Sequence, residues 1–260
     1  MQEAIQQPTV ESEEANALAA AALRASAWAG EPFLHPDEEA SEVLADGRAR
    51  RKALAAALAE MEAGNRVPSP EWKVNYALML GLERVLSERP SRLASGTELR
   101  RHQIDALAGM LTELIARHEE EGENGNGLQL EERVEEDEEE LEVEAEDEQG
   151  DEEDEEGEGL PAVADDPGAV RRFRFRHPTA SGKTIAAAGF VEAARSMGVL
   201  ILTHRRLLVN QFTRDLTDEG YGGRLRESVL RGQEPLAGNP ITIQTYAWFA
   251  RHVGSLSRSA

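Results

Sequence analysis

The stretch that most restricts this chain is Arg172-Phe-Arg-Phe-Arg-His-Pro-Thr-Ala-Ser-Gly-Lys-Thr184, followed by Ile185-Ala-Ala-Ala-Gly-Phe190. It reads as a short strand, a tight Gly- and Ser-containing loop, and the first turns of a helix, which is the setting a phosphate-binding loop needs. At a helix start the backbone N–H groups are unpaired and the positive end of the helix dipole lies behind them, so an anion of several charges fits there. Lys183 is placed to reach β- and γ-phosphates, and the Thr184 hydroxyl to ligate Mg²⁺. Gly182 lets the backbone approach the phosphates closely. The full pattern is G-x-x-x-x-G-K-[ST]. His177 stands at its first Gly, and Ala180 stands where a second Gly is common.

After this loop the pattern is that of an α/β domain. Thr184 to Met197 reads as a helix closed by Gly198. Val199 to Thr203 is a continuous apolar run, as expected of a strand buried on both faces of a parallel sheet. A helix over Arg205 to Asp215 turns Leu208, Phe212 and Leu216 inward. Gly220, Gly222 and Gly223 mark a loop. Ile241 to Thr245 reads as a second strand after the Asn239-Pro240 turn, and Tyr246 to Val253 begins a helix. Such alternation argues a doubly wound parallel sheet with its ligand at the carboxyl ends of the strands.

The part before the loop is different. Glu11 to Trp28 reads as an Ala-rich helix, broken by Gly30-Glu-Pro32 and His35-Pro36. Asp37 to Ala63 reads as one further helix, with Leu44, Leu54, Ala57, Leu58 and Met61 on a rough stripe, ended by Gly64-Asn65. Ser69-Pro70-Glu71 is a strong helix start, with a capping hydroxyl, Pro at the first helical position and an acid in the first turn. Val74, Leu78, Leu82 and Val85 follow at helical spacing. Residues 1–90 are therefore expected to form an all-α accessory region for packing or partner binding. Thr97-Glu98 is expected to cap the next helix, over 97–118, whose stripe is Ile104, Leu107, Leu111, Leu114 and Ile115. In this reading His102 and Gln103 lie on a solvated face of that helix.

The formal net charge of −22 over 260 residues hides a division. Glu119 to Asp166 holds 26 acids and one base, a net of −25, so the rest of the chain carries −22 + 25 = +3. Bulk acidity therefore does not argue against nucleic-acid binding. Residues 119–167 are nearly devoid of apolar side chains, rich in like charges and interrupted by Gly. They are expected to be a disordered acidic linker. A second reading makes the tract a nucleic-acid mimic that occupies a basic groove and weakens with salt. The chain has no Cys, which removes disulfides and thiolate chemistry and fits a cytoplasmic setting. The Ala-rich run from Asn16 to Ala29 is too short to span a membrane and is unlike a signal peptide.

Taken together, four pieces resemble the first RecA-like motor domain of superfamily 2 helicases of the DEAD/DEAH type. The likeness is to the group that holds the restriction-enzyme motor subunits and the UvrB-type helicase N-terminus. Leu99-Arg-Arg-His-Gln-Ile-Asp-Ala-Leu107 is similar to the family's L-R-x-[HYW]-Q-x-x-A helix, and the resemblance implies that Gln103 contacts adenine. His177 to Thr184 resembles motif I, usually A-x-T-G-S-G-K-T, which implies that Thr179, Ala180, Ser181, Gly182, Lys183 and Thr184 bind ATP-Mg²⁺, with Lys183 and Thr184 as the candidate catalytic pair. Leu200 to Gln211 resembles motif Ia, with R-x-x-L-x-x-Q at Arg205, Leu208 and Gln211. His204 replaces a Pro often found there. Ile241 to Tyr246 resembles a later strand whose Thr touches the nucleic-acid backbone. Arg205, Arg206, Gln211 and Thr245 are therefore candidate contacts to DNA, or to RNA.

The resemblance implies an incomplete RecA-like P-loop domain over 168–260. The helix at 97–118 supplies its adenine side, and the acidic insertion is looped out between Gln103 and Lys183. Closing so long a loop is entropically easy. An acidic motif II (D-E-x-[DH]) and a second motor domain with an arginine finger are also needed for hydrolysis. Asp218-Glu219 is not preceded by a buried strand and does not serve as motif II. The expected activity is that of the amino-terminal part of a longer ATP-dependent helicase or translocase, binding nucleotide with negligible hydrolysis by itself. Two readings stand beside it. One is a non-catalytic protein-binding module with a vestigial phosphate loop. The other is a P-loop ATPase that does not act on nucleic acid.

Overall fold

The Ala-rich N-terminal run forms α1 (Val10–Ala29). Its Ala22, Ala25 and Ala29 are buried, so small side chains let α3 (Ala49–Glu62) pack close, with Ala49, Ala53, Leu54 and Ala57 on the facing side. The single helix expected over 37–63 is instead two. A short α2 (Ala40–Val43) is separated from α3 by a turn in which Gly47 adopts φ 85°, a left-handed conformation that stops a helix. These residues come from a computed structural model, which describes residues 10–124, 182–226 and 239–252. The expected strand at 172–176, the loop residues Thr179, Ala180 and Ser181, the Lys183 side chain and most of the acidic tract lie outside the described residues.

The helix start at Ser69 is as expected. The Ser69 hydroxyl accepts from the Trp72 backbone N–H at 3.0 Å, and Pro70 opens α4 (Pro70–Trp72). Replacing Ser69 by Ala leaves that N–H without its cap and also removes a hydroxyl that donates to Glu60. The expected loss is about 1 kcal/mol of unfolding free energy, read as a lower urea midpoint at constant slope.

A π-helical turn, Lys73–Ala77, follows and leads into α5 (Leu78–Ser87). The wide turn sets its own Val74 off the stripe seen in the sequence: Val74 is 51% exposed, whereas Leu82 and Val85 are buried. His118 Nε2–H donates to the Asn75 carbonyl within this turn at 2.8 Å. Trp72 is the centre of an aromatic cluster, with Trp28 edge-on at 5.3 Å and Tyr76 at 5.7 Å.

Every residue from Met79 to Val85 is buried, including Glu83 and Arg84. On one side α5 joins the cluster of α1, α3 and Trp72 through Met79 and Leu80. On the other, Leu82 and Val85 join a second cluster with Leu107, Val191 and Ile241. The partners on that second side are α6 (Arg101–Asn124) and α7 (Lys183–Ala193). Arg84 bridges three elements: its Nε donates to Glu31 Oε2 at 2.8 Å, its Nη1 to Glu192 Oε1 at 2.8 Å and its Nη2 to the Glu192 carbonyl at 2.7 Å. Helix α5 thus contributes to both clusters, one among the helices and one that includes the sheet residues Ile241 and Ile243.

The sheet is small and parallel. Strands β1 (Val199–Thr203), β2 (Leu225–Arg226) and β3 (Ile241–Thr245) lie in the order β1-β3-β2, with Val199 beside Ile241 and Thr203 beside Thr245. The central β3 carries the buried side chains Ile241, Thr242 and Ile243, while Leu200 on β1 is 40% exposed. The expectation that 199–203 is buried on both faces therefore fails: Leu200 is exposed, and Val199, Ile201 and Leu202 are only half-buried. Helix α8 (Arg206–Leu216) follows β1, and α9 (Tyr246–His252) follows β3. The described chain is thus mixed α/β, mostly helical, around a three-stranded parallel sheet. Among the described residues no helix is long and apolar enough to cross a membrane.

Candidate functional site

The helix expected from Thr97 begins later. Arg92 and Glu98 form an antiparallel bridge and Leu99 N–H donates to the Ser91 carbonyl at 3.0 Å, which keeps this stretch extended. Helix α6 therefore starts at Arg101. Gln103 in its first turn takes the capping role assigned to Thr97: its Oε1 accepts from the Arg100 backbone N–H at 2.9 Å. This is one half of a capping box. The helix also continues beyond His118 to Asn124.

Gln103 is not on a solvated face. It is 2% exposed, and its Nε2 donates to the Gly182 carbonyl at 3.1 Å. Two residues separated by 79 positions in the chain, one from each of two motifs, are thus in direct contact. Gly182 takes φ 81° and ψ 44° at the cap of α7, a left-handed conformation that a side chain would strain. A Cβ there would also lie 2.9 Å from Gln103 Nε2. The dihedral favours Gly at this position, and a Cβ there would also push against the Gln103 amide. Thr184 follows in the first turn of α7 and is half-buried. The far end of α7 is held by Arg224, which donates to the Val191, Ala194 and Met197 carbonyls, and by Arg84 at Glu192. Helix α7 is therefore fixed at both ends, by Gln103 at its start and by two guanidinium groups at its finish.

The other candidates lie at the carboxyl ends of the strands. Arg205 is the exposed cap residue of α8, and Thr203 Oγ1 donates to its carbonyl at 3.1 Å. Arg206 and Thr245 line one groove of about 740 Å³ between α8, β2, β3 and α9. Thr245 Oγ1 accepts from the Trp248 N–H at 3.2 Å, so this hydroxyl caps α9. A hydroxyl that accepts there still carries a proton to donate. Gln211 is exposed on α8 and does not line the groove, which takes Arg206, Asn210 and Thr213 from the helix at its own spacing. Arg226, Trp248 and Arg251 complete the groove and were not among the sequence candidates. Among the described residues three guanidinium groups line it and no carboxylate does. Arg226 was hidden because a two-residue strand after a Gly-rich loop has no periodic signal. Trp248 and Arg251 carried a weak one, the i, i+3 spacing on a helix that starts at the end of β3.

Asp218-Glu219 lies in a π-helical turn, Thr217–Tyr221, where Glu219 accepts from the Ser95 hydroxyl. No strand end presents it. Among the described residues no group of three or more His, Asp or Glu is placed to hold a metal ion. A Mg²⁺ ion that arrives with a nucleotide needs little more than one protein ligand besides phosphate and water, and the Thr184 hydroxyl suits that role. A scan against protein-family models, a search of curated proteins and a search of solved structures each return no match. The site is therefore read from its own residues.

Proposed function

We propose that this chain is the nucleotide- and strand-binding part of an ATP-dependent nucleic-acid helicase or translocase built on a RecA-like plan. The observation that carries the reading is the contact of Gln103 with Gly182. It joins the L-R-x-[HYW]-Q-x-x-A-like helix to the phosphate loop across the long acidic insertion, in the order in which such motors use these motifs.

In this reading the α7 N-terminus and Gly182 cradle the phosphates, Lys183 neutralises them and Thr184 holds Mg²⁺. ATP supplies the free energy of hydrolysis. The chain's own residues bind and orient: Gln103 fixes the loop, and Arg84 and Arg224 fix the helix behind it. The groove at the strand ends takes the strand. Arg206, Arg226 and Arg251 meet phosphates without reading sequence, which makes binding salt-sensitive. Thr245 lines the same groove, and Arg205 immediately precedes Arg206.

The groove separates this reading from a P-loop ATPase indifferent to nucleic acid. A fluorescent single-stranded 20-mer should bind the chain at low salt and weaken steeply between about 50 and 200 mM salt. The double variant Arg206→Glu, Arg251→Glu should bind at least about tenfold more weakly and show a shallower salt slope. Equal binding by wild type and double variant, with equal slopes, would remove the nucleic-acid half of the proposal.

A further inference from the structure

The three tryptophans of this chain are used differently. Trp28 and Trp72 meet edge-on at 5.3 Å within the helical cluster. Among the described residues Trp248 joins neither apolar cluster, and it lines the groove at the strand ends instead. Its local contacts hold the ring in place. The Trp248 backbone N–H donates to Thr245 Oγ1 at 3.2 Å. One turn further on, the His252 ring stacks on the indole, with centroids 4.6 Å apart and planes inclined by 20°. His252 Nδ1–H donates to the Trp248 carbonyl at 2.7 Å, which fixes the imidazole in that position. The imidazole takes one face of the indole. The remaining surface of Trp248 opens to the groove that Arg206, Arg226 and Arg251 also line.

A fixed aromatic ring among guanidinium groups suits a single strand, whose phosphates meet the cations while a base stacks on the ring. A paired base offers no such face, because it is already stacked within its duplex and costs free energy to extrude. From this we infer that Trp248, backed by His252, is a stacking platform for an unpaired base of a single strand lying in the groove. The inference rests on the reading of the groove as a nucleic-acid surface, and it adds a base-dependent source of affinity to the phosphate contacts. The platform tolerates any base, because every base has a π-face. His252 acts through the indole, as a positioning residue.

The test is a titration of the whole chain, at low salt, with a fluorescent oligothymidylate and with an abasic oligomer of the same length and charge. Wild type should bind the first at least about fivefold more tightly than the second. Trp248→Ala, shown to be folded by circular dichroism, should bring that ratio to about one, with the salt slope for the oligothymidylate unchanged because the phosphate contacts remain. Trp248→Phe should keep most of the ratio, since a ring remains to stack on. Equal affinity of wild type for the two oligomers overturns the inference and leaves the phosphate contacts of the groove standing. A ratio in Trp248→Ala equal to that of wild type also overturns it, even if both affinities fall together, since the indole would then act only through the fold. Binding of neither oligomer by folded wild type removes the nucleic-acid reading, and the platform with it.

Discussion

Gly81→Ala is expected to destabilise the chain by about 3 kcal/mol or more, although the same exchange in an open helix gains up to about 1 kcal/mol. The reason is the crossing of α5 over the end of α7. A Cβ at position 81 would lie 1.7 Å from the Ala193 carbonyl oxygen and 2.8 Å from its carbonyl carbon. The obstacle is backbone, with no flexible side-chain end to swing away, so the two helices must separate. Separation opens the contacts of Leu82 and Val85 and strains the Arg84 bonds to Glu192. Chemical denaturation reads the effect as a lower midpoint or as failure to fold. A variant as stable as wild type would mean that α5 does not seat on α7 as described.

Arg84→Ala carries the second large effect, about 3–5 kcal/mol, because it strands buried charge. The side chains of Arg84 and Glu31 are 7% and 0% exposed, and Arg195 reaches Glu31 Oε1 only at 3.3 Å. Burial already raises the Glu31 carboxyl above its ordinary range, and the charge and hydrogen bond of Arg84 pull it back. Without Arg84 it rises further. A carboxyl raised in the folded state binds protons more readily there than in the unfolded chain, so it subtracts stability as pH climbs above its unfolded value. The deficit of Arg84→Ala relative to wild type should therefore be largest near neutral pH and shrink as pH falls and Glu31 takes a proton. Adding Glu31→Gln should recover part of the loss at pH 7. A deficit that does not vary with pH would show that Arg84 acts through packing alone.

The parts of this fold that were legible in the sequence are those in which local chemistry decides. Ser69-Pro70 caps a helix by its own hydroxyl and ring. The runs 199–203 and 241–245 form strands because β-branched and apolar residues stand between breakers. What was not legible depends on distant partners. Val74 left its stripe because a π-helical turn adds a residue to the helix. Gln103 reads as a solvated polar residue until a carbonyl 79 positions away accepts its N–H. Seven consecutive buried residues in α5, two of them charged, carry no amphipathic signal, since a helix packed on every side has no polar face to alternate with. At the groove, Arg206 and Thr245 were found through motif order, whereas Arg226 and Arg251 join them through sheet order and helix face.

The proposed function requires the loop ahead of α7 to hold a nucleoside triphosphate. Its most direct test is a titration of the chain with fluorescent ATP and Mg²⁺ beside Lys183→Ala. The variant loses a charge-assisted contact to the β- and γ-phosphates and should bind about 10- to 100-fold more weakly, with its thermal midpoint in the absence of nucleotide unchanged. Equal affinity in wild type and variant, or no binding by a folded wild-type chain, would contradict the account and bring forward the reading of a protein-binding module with a vestigial loop.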